Sequence, residues 1–210
     1  IPAYTESYNL EFTALRDLAV SEEGEQAVLN ISAAGIRTGL IEGESTDVTV
    51  TLADEISNEF IWRLDWGQSY TGTDGETHSF CDFDLDLEIY DSSLANTVAT
   101  SYSDCPEQIN ILEGDLPDGT YYLVPSYWSP AGAVVPTDYE SIPAEITIAK
   151  RGVFVETIDF SGVWTNFQQG VNEGNPNGYV PFASLEISNN GTTYNVSDFN
   201  TGETIVEGRM

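Results

Sequence analysis

Residues 80–91 read Phe-Cys-Asp-Phe-Asp-Leu-Asp-Leu-Glu-Ile-Tyr-Asp, and they decide the fold class because acidic and apolar side chains alternate along them. Successive side chains of a β-strand project to opposite faces. The alternation therefore predicts a half-buried strand whose core face consists of Phe83, Leu85, Leu87 and Ile89. The opposite face is a row of acids, here called the carboxylate ladder: Asp82, Asp84, Asp86 and Glu88.

The carboxylate ladder has three interpretations. Acids two residues apart on a strand lie roughly 6.5–7 Å apart, so each pair repels by about 0.6 kcal/mol in water and about 2.4 kcal/mol at an effective dielectric near 20. A solvated ladder tolerates this repulsion, whereas a covered ladder requires a cation. That cation is either Ca²⁺, which takes six to eight oxygen ligands, or Arg63 on a neighbouring strand, which would replace the metal with a charge-assisted pair.

The other periodic segments also predict strands. Alternation or β-branched and aromatic composition predicts strands at 48–52, 60–66, 107–111, 120–128, 145–149, 154–160, 183–188 and 192–196, and no segment has sustained helical periodicity. We therefore predict an all-β fold, an antiparallel β-sandwich of jelly-roll or Greek-key type with extra flanking strands. Its parts are an N-terminal β segment packed on the sandwich (1–46), the main sandwich (47–150), and a C-terminal β extension or small second β module (151–210).

Local motifs indicate turns and core positions. Asp118-Gly119-Thr120-Tyr121 resembles a tyrosine corner, in which the phenol bonds to upstream backbone. Asn189-Asn190-Gly191 is typical of a hairpin turn. We expect Trp62 and Trp66 to pack in the core, and 67–79 to form a polar loop that carries His78, the one histidine of the chain.

The charge balance excludes two classes of partner. The chain has 6 Lys and Arg against 35 Asp and Glu, a formal net charge of −29. Nucleic-acid binding and attachment to anionic membranes both require basic patches, which this composition does not provide. The sequence contains no run of about 18 apolar residues, so it predicts no transmembrane segment.

The two cysteines, Cys81 and Cys105, bracket the acidic strand and its return strand. They are either buried thiols or a disulfide, and we favour a disulfide because other features indicate an exported protein. The chain begins at Ile1 rather than Met, which we take as the sign of a removed export signal. We therefore expect a secreted, periplasmic or cell-surface protein.

Four features in order carry a resemblance over residues 47–149: the aromatic strand 60–66, Asp84-Leu85-Asp86-Leu87, the Glu-x-Ile strand 107–111, and Gly-Thr-Tyr-Tyr-Leu-Val at 119–124. This block resembles the bacterial pre-peptidase C-terminal (PPC) domain, a β-sandwich appended to exported proteins. The resemblance implies a calcium-stabilised, non-catalytic module. It assigns no ligand-binding residue here.

Three functions follow as hypotheses. The first is an exported module that binds an extracellular glycan or protein through Tyr122, Tyr127 and Trp128, if the strand alternation places them outward. The second is a glycoside hydrolase-like enzyme on a jelly-roll scaffold, which requires a suitably spaced carboxylate pair. The third is a purely structural subunit of the cell envelope. The sequence has no G-x-S-x-G motif and assigns no catalytic residue.

Overall fold

A computed structural model describes residues 11, 26–31, 46–51 and 57–210. Its strands are β1 (Gln26–Ile31), β2 (Thr46–Thr51), β3 (Phe60–Asp65), β4 (Ser69–Thr71), β5 (Thr77–Ser79), β6 (Asp84–Asp91), β7 (Thr97–Ser101), β8 (Glu107–Ile111), β9 (Gly119–Ser129), β10 (Glu145–Lys150), β11 (Phe154–Asp159), β12 (Ala183–Ser188), β13 (Thr193–Asp198) and β14 (Thr204–Arg209).

Two antiparallel sheets form the sandwich, as the alternation predicted. One sheet has the order β14-β13-β12-β9-β6-β7, and the other has the order β11-β10-β3-β8. Strands from 154–209 join both sheets, since β11 pairs with β10 and β12 pairs with β9. β1 pairs with β2, while most of the predicted N-terminal segment 1–46 lies outside the described residues.

The core lies between the two sheets. Leu85, Leu87 and Ile89 of β6 are fully buried, as their alternation predicted, and they share one apolar cluster with Trp62 and Trp66. Burying a large apolar side chain contributes about 1.5–3 kcal/mol. The predicted core role of the two tryptophans is thus confirmed.

Both predicted local motifs are confirmed. The Tyr121 hydroxyl donates to the Pro117 carbonyl at 2.8 Å, which is the tyrosine corner. The 189–191 turn has positive φ at all three positions and connects β12 to β13. The Asp118 carboxylate accepts the backbone N–H groups of Asn190 and Gly191, so this acid ties the two turns together.

Two expectations on either side of Phe80 are corrected. The predicted loop 67–79 contains the hairpin β4–β5, and its Tyr70 is buried with the hydroxyl donated to the Val134 carbonyl. The predicted strand starts at Asp84 rather than at Phe80, because Phe80–Asp82 form a 3₁₀ turn. The Ser79 side chain caps that turn by accepting the Cys81 N–H.

Candidate functional site

An open cleft lies on the outer face of the six-stranded sheet, above β6. It has a volume of about 410 Å³ and is lined by Asp84, Asp86, Glu88, Tyr102, Ser103, Trp128 and Tyr179. Three of the four predicted ladder acids therefore share one concave site. We call it the acidic cleft.

Asp82, the fourth ladder acid, is not part of the acidic cleft. It lies on the 3₁₀ turn, half exposed, with its Oδ2 4.0 Å from Nδ1 of His78. The prediction placed it on the ladder because the strand was expected to begin earlier. His78 itself contacts Asp74 at 3.0 Å, in the β4–β5 hairpin.

The floor of the acidic cleft contains two buried acids that differ in their hydrogen bonding. Asp86 is 7% exposed and Glu88 is 6% exposed, although both are acids. Glu88 accepts hydrogen bonds from Tyr90 at 2.9 Å and Tyr102 at 3.2 Å. By contrast, no hydrogen bond between described residues involves the Asp84 or Asp86 carboxylate.

Ser126 of β9 adds a second unsatisfied group. It lies directly opposite Asp86 in the β6–β9 register, so both side chains project to the same face of the sheet. Ser126 is 0% exposed, and its hydroxyl has no hydrogen-bond partner among the described residues. A buried polar group without a partner costs about 1–3 kcal/mol; Ser126 is not among the residues that line the cleft, so within the lining it is Asp86 that a polar ligand can reach.

The electrostatics of the floor follow from burial. Burial raises the pKa of Asp86 to about 7, and Asp84, Glu88 and Glu107 raise it further by repulsion. Burial also raises the pKa of Asp84, with a contribution from Glu173. For Glu88, burial raises the pKa and the two tyrosine hydroxyls oppose that shift. A cation that entered the cleft would favour the ionised forms of these acids and so lower their pKa values.

Aromatic side chains form the walls. β6 lies between β7 and β9, so Tyr102, just after β7, stands on one side, while Trp128 and Tyr179 belong to the β9 side. Trp128 is the extra residue of a β-bulge, since Asp84 pairs with Ser129 and Leu85 with Tyr127. Bulges re-aim side chains, and Trp128 is the one that lines the cleft.

The loop 170–180 holds in place the cleft wall to which Trp128 and Tyr179 belong. The Tyr127 N–H donates to the Gly178 carbonyl at 3.1 Å, and the Val180 N–H donates to the Pro125 carbonyl at 3.1 Å. Gly170 approaches β9 so closely that a Cβ there would stand 2.3 Å from the Trp128 carbonyl oxygen. This position therefore requires glycine.

The opposite wall is fixed by the disulfide. Cys81 and Cys105 are bonded, with Cα atoms 5.7 Å apart, as predicted. The bond ties the chain segment before β6 to the loop that follows Tyr102 and Ser103. Glu107, fully buried, accepts the Asp104 N–H at 2.6 Å and the Ser101 hydroxyl, which secures the same loop.

The other sequence candidates lie elsewhere. Arg63 belongs to the four-stranded sheet and bonds Asp65 at 2.7 Å, so it does not offset the ladder. Tyr127 is fully buried and donates to the Phe167 carbonyl at 2.9 Å, which makes it a core residue rather than part of an exposed binding face. Tyr122 is half-buried and packs edge-on against Phe199, outside the lining of the acidic cleft.

The arrangement of the carboxylates in the acidic cleft fits a calcium ion poorly. In the described part of the chain, no three His, Cys, Asp or Glu side chains are arranged to hold one ion. The carboxylates of the acidic cleft follow one another along β6 rather than converging. Calcium binding by Asp84, Asp86 and Glu88 stays a prediction, to be tested by titration.

Comparison with known proteins identifies no relative: no family model matches the chain, and neither does any curated protein or solved structure. The PPC-domain resemblance therefore stays a prediction. Among the residues that the structure describes, no helix is long and apolar enough to cross a membrane.

Proposed function

We propose that this protein is a non-catalytic, exported β-sandwich module that binds an extracellular glycan or protein, and that the acidic cleft is its binding site. The observation that carries this proposal is Asp86, which is 7% exposed, forms no hydrogen bond with a described residue and lines an aromatic-walled cleft. A ligand that supplies hydrogen-bond donors there would offset a desolvation cost already present in the free protein.

The disulfide supports the exported part of the proposal, because disulfides persist in oxidising compartments. The high net negative charge fits a protein that works in solution at an exposed surface, where it opposes self-association. The PPC-like pattern of 47–149 also supports an exported module.

A screen for ligands tests the proposal. Labelled protein is titrated with a glycan panel and with extracellular-matrix proteins, and amide chemical shifts are followed by NMR. We expect a ligand that shifts the amides of 84–88 and 102–103, and whose binding is lost in Trp128→Ala. If no member of the panel binds at millimolar concentration, or if all shifts fall outside the acidic cleft, the proposal fails.

A second candidate function is glycoside hydrolysis, and one observation favours it. Asp86, with its pKa raised to about 7 by burial, lies between Asp84 and Glu88 on the same strand face. Glycosidases pair an acid whose pKa is raised with a second carboxylic acid. Incubation with a panel of aryl glycosides distinguishes the two functions: hydrolysis that Asp86→Asn abolishes would replace the binding module with an enzyme.

A further inference from the structure

No basic side chain of the described residues lines the acidic cleft, and this points to the chemistry of its ligand. Four of the six basic residues lie in the described part of the chain, and none of the four lines the cleft. Arg63 bonds Asp65, Arg151 lies 3.7 Å from Glu59, and Lys150 donates to the Arg209 carbonyl. Within the described chain, the cleft acids thus have no cationic side chain of their own.

The hydrogen bonding singles out two of the three acids. Both oxygens of Glu88 accept tyrosine hydroxyls, whereas the carboxylates of Asp84 and Asp86 accept nothing from described residues. The unsatisfied Ser126 hydroxyl lies beside Asp86. Two adjacent acceptor sites, two residues apart on one strand face, are therefore open to a ligand.

The spacing of these two sites matches an extended peptide. Asp84 and Asp86 are separated by roughly 6.5–7 Å along β6, and side chains at positions i and i+2 of any extended chain have the same separation. The aromatic walls suit cations as well, because ammonium and guanidinium groups are attracted to the faces of Trp and Tyr rings. Trp128, Tyr102 and Tyr179 supply those rings.

We infer that the acidic cleft binds an extended basic segment of a protein partner, with Lys or Arg side chains at alternate positions seated on Asp84 and Asp86. This inference rests on the proposed function, and it names the ligand class: cationic peptide rather than neutral glycan. Glu88, held by Tyr90 and Tyr102, adds negative charge without a direct contact of its own.

Isothermal titration calorimetry with synthetic peptides tests the inference. The probe is an acetylated and amidated Thr-Lys-Thr-Lys-Thr peptide, whose β-branched residues favour an extended chain. Comparison peptides carry both lysines side by side, or both lysines acetylated on their amino groups. We expect the alternating peptide to bind at least about threefold more tightly than the adjacent one, and the acetylated peptide to lose binding about tenfold or more.

A matched pair of double variants separates the cleft from the general acidity of the surface. Asp84→Asn with Asp86→Asn should weaken the alternating peptide about tenfold, which corresponds to about 1.4 kcal/mol. Glu203→Gln with Glu207→Gln removes the same charge from exposed positions at the opposite edge of the same sheet and should change affinity less than about twofold. Circular dichroism checks that both variants are folded.

Three outcomes would overturn the inference. Equal weakening by both double variants would mean that the peptide is attracted by net charge alone. Failure of every basic peptide, with a neutral glycan that shifts the amides of 84–88 instead, would refute the cationic ligand while leaving the proposed binding module intact. Failure of every ligand at the cleft would refute the proposed function as well.

Discussion

Asp86 of β6 and Ser126 of β9 face each other across the sheet, both buried and neither hydrogen-bonded within the described chain. This pair distinguishes the acidic cleft from an ordinary solvated strand face. The Asp86 carboxylate lines the cleft and is available to a ligand, whereas the Ser126 hydroxyl is enclosed and is not part of the lining. The predictions below test the cleft and the fold that holds it.

Asp86→Asn should change how stability depends on pH. The pKa of Asp86 is raised from 3.8 to about 7, so the folded state holds this proton more tightly than the unfolded chain does. The carboxyl therefore lowers stability progressively as the pH rises from about 4 to about 7. The variant should match the wild type at pH 4 and exceed it at pH 8 by on the order of 2–4 kcal/mol, since one pKa unit corresponds to about 1.4 kcal/mol.

Urea unfolding at both pH values measures this difference. Asp91→Asn serves as the control, because Asp91 has its pKa lowered to about 2 by hydrogen bonds from Ser93 and Asn96 and should lose rather than gain stability at pH 8. Equal effects of the two substitutions at pH 8 would show that Asp86 is not electrostatically penalised by burial.

Tyr121→Phe should destabilise the sandwich by about 1 kcal/mol, because it removes the hydrogen bond to the Pro117 carbonyl and leaves that acceptor unpaired. The corresponding fall in melting temperature is about 2–4 °C. Tyr122→Phe is the matched control on the same strand, since no hydrogen bond of the described structure involves its hydroxyl. A melting temperature that falls equally in both variants would contradict the role given to the tyrosine corner.

Reduction of the Cys81–Cys105 bond should lower the free energy of unfolding by about 3.5 kcal/mol, the value that chain entropy gives for a loop of roughly 25 residues. Calorimetry with and without reductant measures the loss, and Cys81→Ser with Cys105→Ser shows whether reductant acts elsewhere. The double variant should also bind ligand more weakly, because the bond holds the loop that carries Tyr102 and Ser103. An unchanged melting temperature on reduction would refute the stabilising role.

Calcium is tested by thermal unfolding in EDTA and in added Ca²⁺. If the carboxylate ladder holds the ion, EDTA lowers the melting temperature by several degrees, Ca²⁺ restores it, and Asp84→Asn with Asp86→Asn abolishes the response. Glu203→Gln with Glu207→Gln should leave the response unchanged. Identical melting curves in EDTA and Ca²⁺ would remove calcium from the description of this site.

The fold class was predictable from sequence because the alternation of apolar and polar side chains directly indicates a strand with one buried face. Leu85, Leu87 and Ile89 share a face in any strand, so burying them also determines where the acids project. The start of β6 was not predictable in the same way. The apparent alternation continues back to Phe80, but the Ser79 cap and the following 3₁₀ turn move Asp82 off the strand.

The acidic cleft was predictable only in part. The acids of β6 were visible as a pattern, and Trp128 was proposed as a binding residue, but a bulge rather than simple alternation aims it at the cleft. Tyr179 follows the Gly- and Asn-rich segment 168–178, and no local signal in the sequence indicates that this part of the chain runs along β9. Ser126 becomes notable only once the register places it opposite Asp86.

The pH titration of the Asp86 carboxyl carbon, followed by ¹³C NMR in the folded protein, decides whether the floor of the acidic cleft raises the pKa of this acid. Asp86 is a buried acid with no cationic partner among the described residues, so it should titrate near pH 7, and its midpoint should fall when a saturating cationic peptide is present. A midpoint below about 5 in the free protein, close to the ordinary value for an aspartate, would contradict the account.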